Sequence, residues 1–147
     1  MIDVDLVIRK LVLIITDLEA LRPFAAKDAT AYLAAPLDEI VAERYLERTI
    51  GRMIDINYHL ITESGHAPPS DYHASFTRLA DVGVLEREFA ARIAACAGLR
   101  NRIVHQYDEI DAARVHQALQ TAIADIPLYA IRVRDYINLL SKEKQEF

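Results

Sequence analysis

Cysteine is nearly missing from this chain. Cys96 stands alone, which excludes an intrachain disulfide and any metal site built from several thiolates. Set among Ala94, Ala95 and Ala97, it fits a small buried thiol, and a reducing cytoplasm is the expected setting. Tryptophan is absent, and glycine and proline number only four and five, too few for the closely spaced turns of a β protein. Basic excess is lacking too. With 17 Lys and Arg against 22 Asp and Glu the formal charge is −5, so the broad cationic face that general DNA coating needs is not expected. The apolar run from Leu11 to Ile15 is too short to span a bilayer, and Asp3 and Asp5 stand where a signal sequence would carry basic residues. Neither export nor membrane insertion is expected.

What is present is a chain of 147 residues, 52% apolar, in which alanine, leucine and isoleucine favour helix. At this length a single domain buries about two-thirds of the surface its unfolded chain exposes. The reading is an all-α, up-and-down bundle of four main helices with one or two short ones, occupying residues 1–141, and a frayed tail at 142–147.

Apolar spacing supplies the helices. Val4, Val7, Leu11, Ile14, Leu18 and Leu21 form one stripe, on a helix expected to end before Pro23. After a short segment, Pro36 opens a helix to about Thr62 with Asp38 and Glu39 in its first turn. Ala42, Leu46, Ile50, Met53, Asn57 and Leu60 share one of its faces, and Arg48, Arg52, Asp55 and His59 another. Ser64 to Pro69 is a break. Ser70 is expected to cap a short helix ending at Gly83. Leu85, Phe89, Ile93, Cys96, Leu99 and Ile103 then mark one continuous helix, with Gly98 as a bend or a close helix contact, and Asp111 caps the last. The final stripe, Val115 through Leu140, stays in register across Pro127, which predicts a kink there and not a stop.

The residues that carry chemistry lie at the end of the third long helix. Between residues 89 and 107 the chain holds Arg92, Arg100 and Arg102 and no carboxylate, against a net charge of −5. Arg100, Asn101, Arg102, His105 and Tyr107 place guanidinium, amide, imidazole and phenol within a few residues. A neutral imidazole removes a 2′-hydroxyl proton, and a guanidinium braces the charge that grows on the phosphorane oxygens. No metal or cofactor is demanded by this chemistry. The plainer account is an arginine-rich last turn that stabilises the helix dipole, with His105 and Tyr107 capping its end. Spacing alone does not decide between them, because on an α-helix Arg100 and His105 lie about 140° apart. They meet on one phosphate only if the helix ends or tightens near Val104, or if two copies of the segment face each other.

The run Gly98-Leu99-Arg100-Asn101-Arg102-Ile103-Val104-His105-Gln106-Tyr107 resembles the motif of the HEPN superfamily in its HepT-like branch: arginine, four residues beginning with a polar one, histidine, one residue, tyrosine. The acidic turn Asp108 to Asp111 and the upstream helix through Ile54-Asp55-Ile56-Asn57-Tyr58-His59 fit the same pattern. The resemblance implies a HEPN-like bundle, a homodimer with its motifs facing a shared cleft, and a ribonuclease toxin of a two-gene toxin–antitoxin module. It also implies a nucleotidyltransferase antitoxin that moves AMP from ATP onto the motif tyrosine. By position, Arg100 and His105 would be catalytic, Asn101 and Arg102 would support the RNA phosphate, and Tyr107 would be the modified residue. A non-catalytic module that binds a nucleotidyltransferase or its nucleotide is the second reading. Arg48, Arg52, Asp55 and His59 read as a solvated face, Asn57 as a satisfied core amide, and His66, His73 and His116 as surface residues.

Overall fold

The computed structural model describes residues 1–145, and within them the only secondary structure is helical. Eight helices follow one another: α1 (Val4–Ala26), α2 (Ala29–Leu33), α3 (Pro36–Glu63), α4 (Tyr72–Thr77), α5 (Leu79–Val82), α6 (Arg87–Ile93), α7 (Ala95–His105) and α8 (Ala112–Gln145), with a 3-10 turn at Tyr107–Glu109. The long helices α1, α3 and α8 pack along one another, and α7 lies across α3 and α8 with α4 at its side.

The expected stripes are the buried faces. Val7, Leu11, Ile14, Leu18 and Leu21 of α1 meet Leu46, Ile50, Met53 and Leu60 of α3, and Leu119, Ile126, Val133 and Ile137 of α8 close the core. Asn57 is the satisfied core amide its position suggested. Its Oδ1 accepts from the buried Tyr129 hydroxyl at 2.6 Å and its Nδ2 donates to Ser75 Oγ at 3.2 Å, tying α3 to α8 and α4.

Several boundaries differ from expectation, and the short helix expected between Ser70 and Gly83 is two, α4 and α5, parted at Arg78. Helix α1 runs through Pro23 to Ala26. The ring deletes one backbone hydrogen bond, but Phe24 and Ala25 beyond it pack against the core. The cap of α4 is Asp71 and not Ser70, its carboxylate accepting from Ala74 N at 2.7 Å. The third long helix is split into α6 and α7 at Ala94, not bent at Gly98: Ala97 N turns back to Ala94 O, three residues away, at 3.1 Å. Finally, α8, which does not stop at Pro127, as expected, continues to Gln145, so residues 142–145 of the expected tail are helical, with Ser141 Oγ bonded to Ile137 O and Lys142 and Lys144 suited to the negative helix end. Glu146 and Phe147, the rest of that tail, lie outside the described residues.

One carboxyl sits badly. Glu43 on α3 has a buried Oε1 with no partner among the described residues, and burial, with Glu39 beside it, pushes the group up to about 7. Because the fold binds this proton more tightly than the unfolded chain does, the contribution to stability is complete below the ordinary value of 4.5 and lost as the pH rises through about 7. Glu43→Gln should therefore raise the melting temperature at pH 8 by about 2–4 °C, equivalent to about 1 kcal/mol once partial exposure is allowed for, and leave it unchanged near pH 4.5. Equal shifts at the two pH values would remove charge as the cause.

Candidate active site

Helix α7 presents the motif as three strips, each with its own surroundings. Every residue turns the helix by about 100°. Leu99 and Ile103 are buried against the bundle, and opposite them, on the crest, lie Asn101 and His105, both exposed. Arg100 falls on the flank toward α4 and is half-buried, whereas Arg102 falls on the flank toward the start of α8.

Each arginine is held differently. The Arg100 guanidinium carbon stands 5.1 Å from the centre of the Tyr72 ring, at the first turn of α4. Arg102 folds back over Gly98, where a Cβ would lie 3.4 Å from its Nη1. Glycine therefore serves as a bare shelf under a guanidinium. Arg92, counted above with the local positive charge, reaches Asp125 with Nε and Nη2, each at 3.2 Å, and is thereby neutralised. Among the described residues Arg100 and Arg102 have no such carboxylate, so the field at the end of α7 comes from these two.

The helix stops just after His105. Gln106 leaves the helical region at φ −126°, ψ 33° while its N–H still bonds Arg102 O at 2.9 Å. The 3-10 turn follows, and Asp111 caps α8 by accepting from Ala113 N at 3.0 Å, as its position suggested. Tyr107 lies on this turn, 70% exposed, so its phenol is open to a second protein. Beside the turn, Arg102, Gln106, Glu109 and Arg114 surround an open cleft of about 340 Å³ with Leu99 and Ile103 on its floor.

Within one chain, then, the helix stays regular through His105, and the condition that it end near Val104 is not met. Arg100 and His105 are about 140° apart in azimuth and about 7.5 Å along the axis. One subunit does not turn both toward a single phosphate on one flat face.

The other polar candidates serve the fold. Arg48 and Arg52 both grip the buried Asp17 of α1, at 3.2 and 2.6 Å. Asp55 pairs with Lys10 at 3.0 Å, and His59 Nε2 accepts from Asp3 N at 2.8 Å. This strip is the edge of a seam between α1 and α3, with Arg48 and Asp55 exposed as expected and Arg52 and His59 half-buried. His116 is also a correction: it is buried, stacked 5.0 Å from Tyr32, with Nε2 donating to Lys27 O at 2.7 Å. The Cys96 thiol is pushed up to about 12 by burial and by Asp125, so it is inert at neutral pH.

Comparison with known proteins shows the family and the fold. The family model Ribonuclease HepT-like matches residues 14–133. A tRNA nuclease HepT from Aphanizomenon flos-aquae is 32% identical over 126 residues, 86% of each chain. In fold, a tri-AMPylated HEPN toxin of Shewanella oneidensis, solved in complex with MNT antitoxin, superposes with a TM-score of 0.80 at 21% identity, over 89% of this chain and 98% of that one. YutE, a cytosolic protein of Bacillus subtilis, gives 0.77 at 18% identity, over 94% and 92%. These structural likenesses confirm the expected HEPN-like helical fold. No helix among the described residues is long and apolar enough to cross a membrane.

Proposed function

The chain belongs to the HepT-like ribonuclease family, and from that premise we propose that it is a metal-independent ribonuclease toxin, with tRNA among its substrates, that a nucleotidyltransferase antitoxin silences by adding AMP. The observation that carries the site is the exposed end of α7, where two guanidinium groups without carboxylate partners among the described residues flank the solvent-facing imidazole of His105.

His105, as neutral imidazole, takes the proton of a ribose 2′-hydroxyl. The 2′-oxygen attacks the adjacent phosphorus, the bond to the 5′-oxygen breaks, and that oxygen leaves with a proton. The products are a 2′,3′-cyclic phosphate and a 5′-hydroxyl, and DNA, lacking the attacking group, is spared. Arg100 braces the pentavalent phosphorane, while Asn101 and Arg102 hold the backbone alongside.

A homodimer resolves the angular problem on α7. Across a two-fold axis, His105 of one subunit and Arg100 of the other approach from opposite sides of a shared cleft. The imidazolium that His105 becomes on taking the 2′-hydroxyl proton then returns a proton to the leaving 5′-oxygen.

Tyr107 lies two residues beyond His105, on an exposed turn. Transfer of AMP joins its phenolic oxygen to the α-phosphorus of ATP and releases pyrophosphate. The adduct sets bulk and a negative phosphodiester beside the guanidinium groups, so substrate RNA is excluded by sterics and by charge. The solved Shewanella complex, in which the toxin carries AMP, supports this assignment.

Two measurements test the reading. Purified alone, the chain should degrade total tRNA in EDTA; intact tRNA after prolonged incubation would favour the docking module. Co-expressed with its cognate nucleotidyltransferase, it should gain at least one AMP in intact mass, with Tyr107→Phe carrying at least one fewer. An unmodified wild-type mass under these conditions would overturn the silencing mechanism.

A further inference from the structure

From the packing around Arg100 we infer that Tyr72 is a positioning residue for the reaction: its ring holds the Arg100 guanidinium in place without neutralising it. The inference rests on the active-site reading above and extends it to a residue outside the motif.

The geometry is over-determined. Arg100 lies over the Tyr72 ring at 5.1 Å, and Tyr72 in turn meets Tyr58 of α3 edge-on, with centroids 6.3 Å apart and planes at 81°. Tyr72 is the first residue of α4, and the Asp71 cap fixes the start of that helix. Its carbonyl accepts from Ser75 Oγ at 2.6 Å, Ser75 accepts from Asn57, and Asn57 accepts from the buried Tyr129 hydroxyl. A run of hydrogen bonds therefore leads from the core to the backbone under the ring. The ring itself is 38% exposed and contributes little to the core.

Chemistry explains why a ring stands there. An arginine with no partner samples many rotamers, and a loosely placed guanidinium meets the phosphorane only part of the time. A carboxylate would hold it, as Asp125 holds Arg92, but would cancel the positive charge the transition state needs. An aromatic face attracts the cation through its quadrupole and leaves the net charge intact. Arg92 and Arg100 thus show two treatments, one neutralised and one held with its charge kept.

The test is single-turnover cleavage of total tRNA by the full chain. Tyr72→Leu should lower the saturated rate about tenfold while the half-saturating enzyme concentration stays within about twofold, because placement in the transition state is lost and ground-state binding is not. Tyr72→Phe, which keeps the ring, should restore the rate to within about twofold of wild type. In an Arg100→Ala background, Tyr72→Leu should cause no further loss. A wild-type rate in Tyr72→Leu, a Phe variant as slow as the Leu variant, or an equal further loss in the Arg100→Ala background would each overturn the inference. The Arg100 Nε–H resonance gives a readout free of catalysis: loss of the ring-current shift should occur in Tyr72→Leu and not in Tyr72→Phe. Arg100→Ala cutting at the wild-type rate would sink the active-site reading itself. A slow Arg100→Ala beside a fast Tyr72→Leu would sink only the role of Tyr72.

Discussion

His105→Ala is expected to cut RNA about 10² to 10⁴ times more slowly than wild type, the usual worth of a general base. The side chain is exposed and ends α7, so the melting temperature should be unchanged. Arg100→Ala should fall about 10² to 10³ in rate, the range for removing one group that stabilises a developing oxyanion. Assays of total tRNA in EDTA, with each protein purified twice by different routes, distinguish these losses from a contaminating nuclease. Residual cutting equal in wild type and both variants would show that neither side chain takes part.

Mixing the two inactive variants is expected to bring activity back. If Arg100 of one subunit works with His105 of its partner, a subunit-exchanged mixture of Arg100→Ala and His105→Ala should recover about a quarter of wild-type activity, since about half of the dimers pair the two variants and each of these retains one of the two Arg100–His105 pairs across the shared cleft. The expectation comes from the angle between the residues on a regular helix. Were both groups to act within one chain, every chain in the mixture would lack one of them, and exchange would restore nothing. Gel filtration before and after mixing confirms exchange, so a null result counts against the shared cleft.

The long helices were legible in the sequence because their apolar stripes are long and regular. Val7 to Leu21 of α1 and Val115 to Ile137 of α8 are buried as their spacing requires. Boundaries were less so. Pro23 read as a stop because its missing N–H is a local fact, whereas the packing of Phe24 and Ala25 that carries the helix past it is tertiary. The break at Ala94 left no mark, since alanine suits an α-helix and a tighter turn equally well, and Gly98 drew attention for a backbone freedom it does not use.

Of the site, the motif residues were visible through their spacing and resemblance, but their partners were not. Asp125 lies on α8 and Tyr72 on α4, and neither stands at helical spacing from the arginine it contacts. The charge count of the segment therefore treated three arginines alike, where the fold neutralises one and leaves two. Asp17 was hidden for a similar reason: a carboxylate beside the stripe of α1 gives no sign that Arg48 and Arg52 reach it from α3.

The turn bearing Tyr107 buries none of its three residues. Chemistry at the Tyr107 phenol therefore displaces no core side chain, and if Tyr107 carries AMP as proposed, the modified chain should melt at the same temperature as the unmodified one.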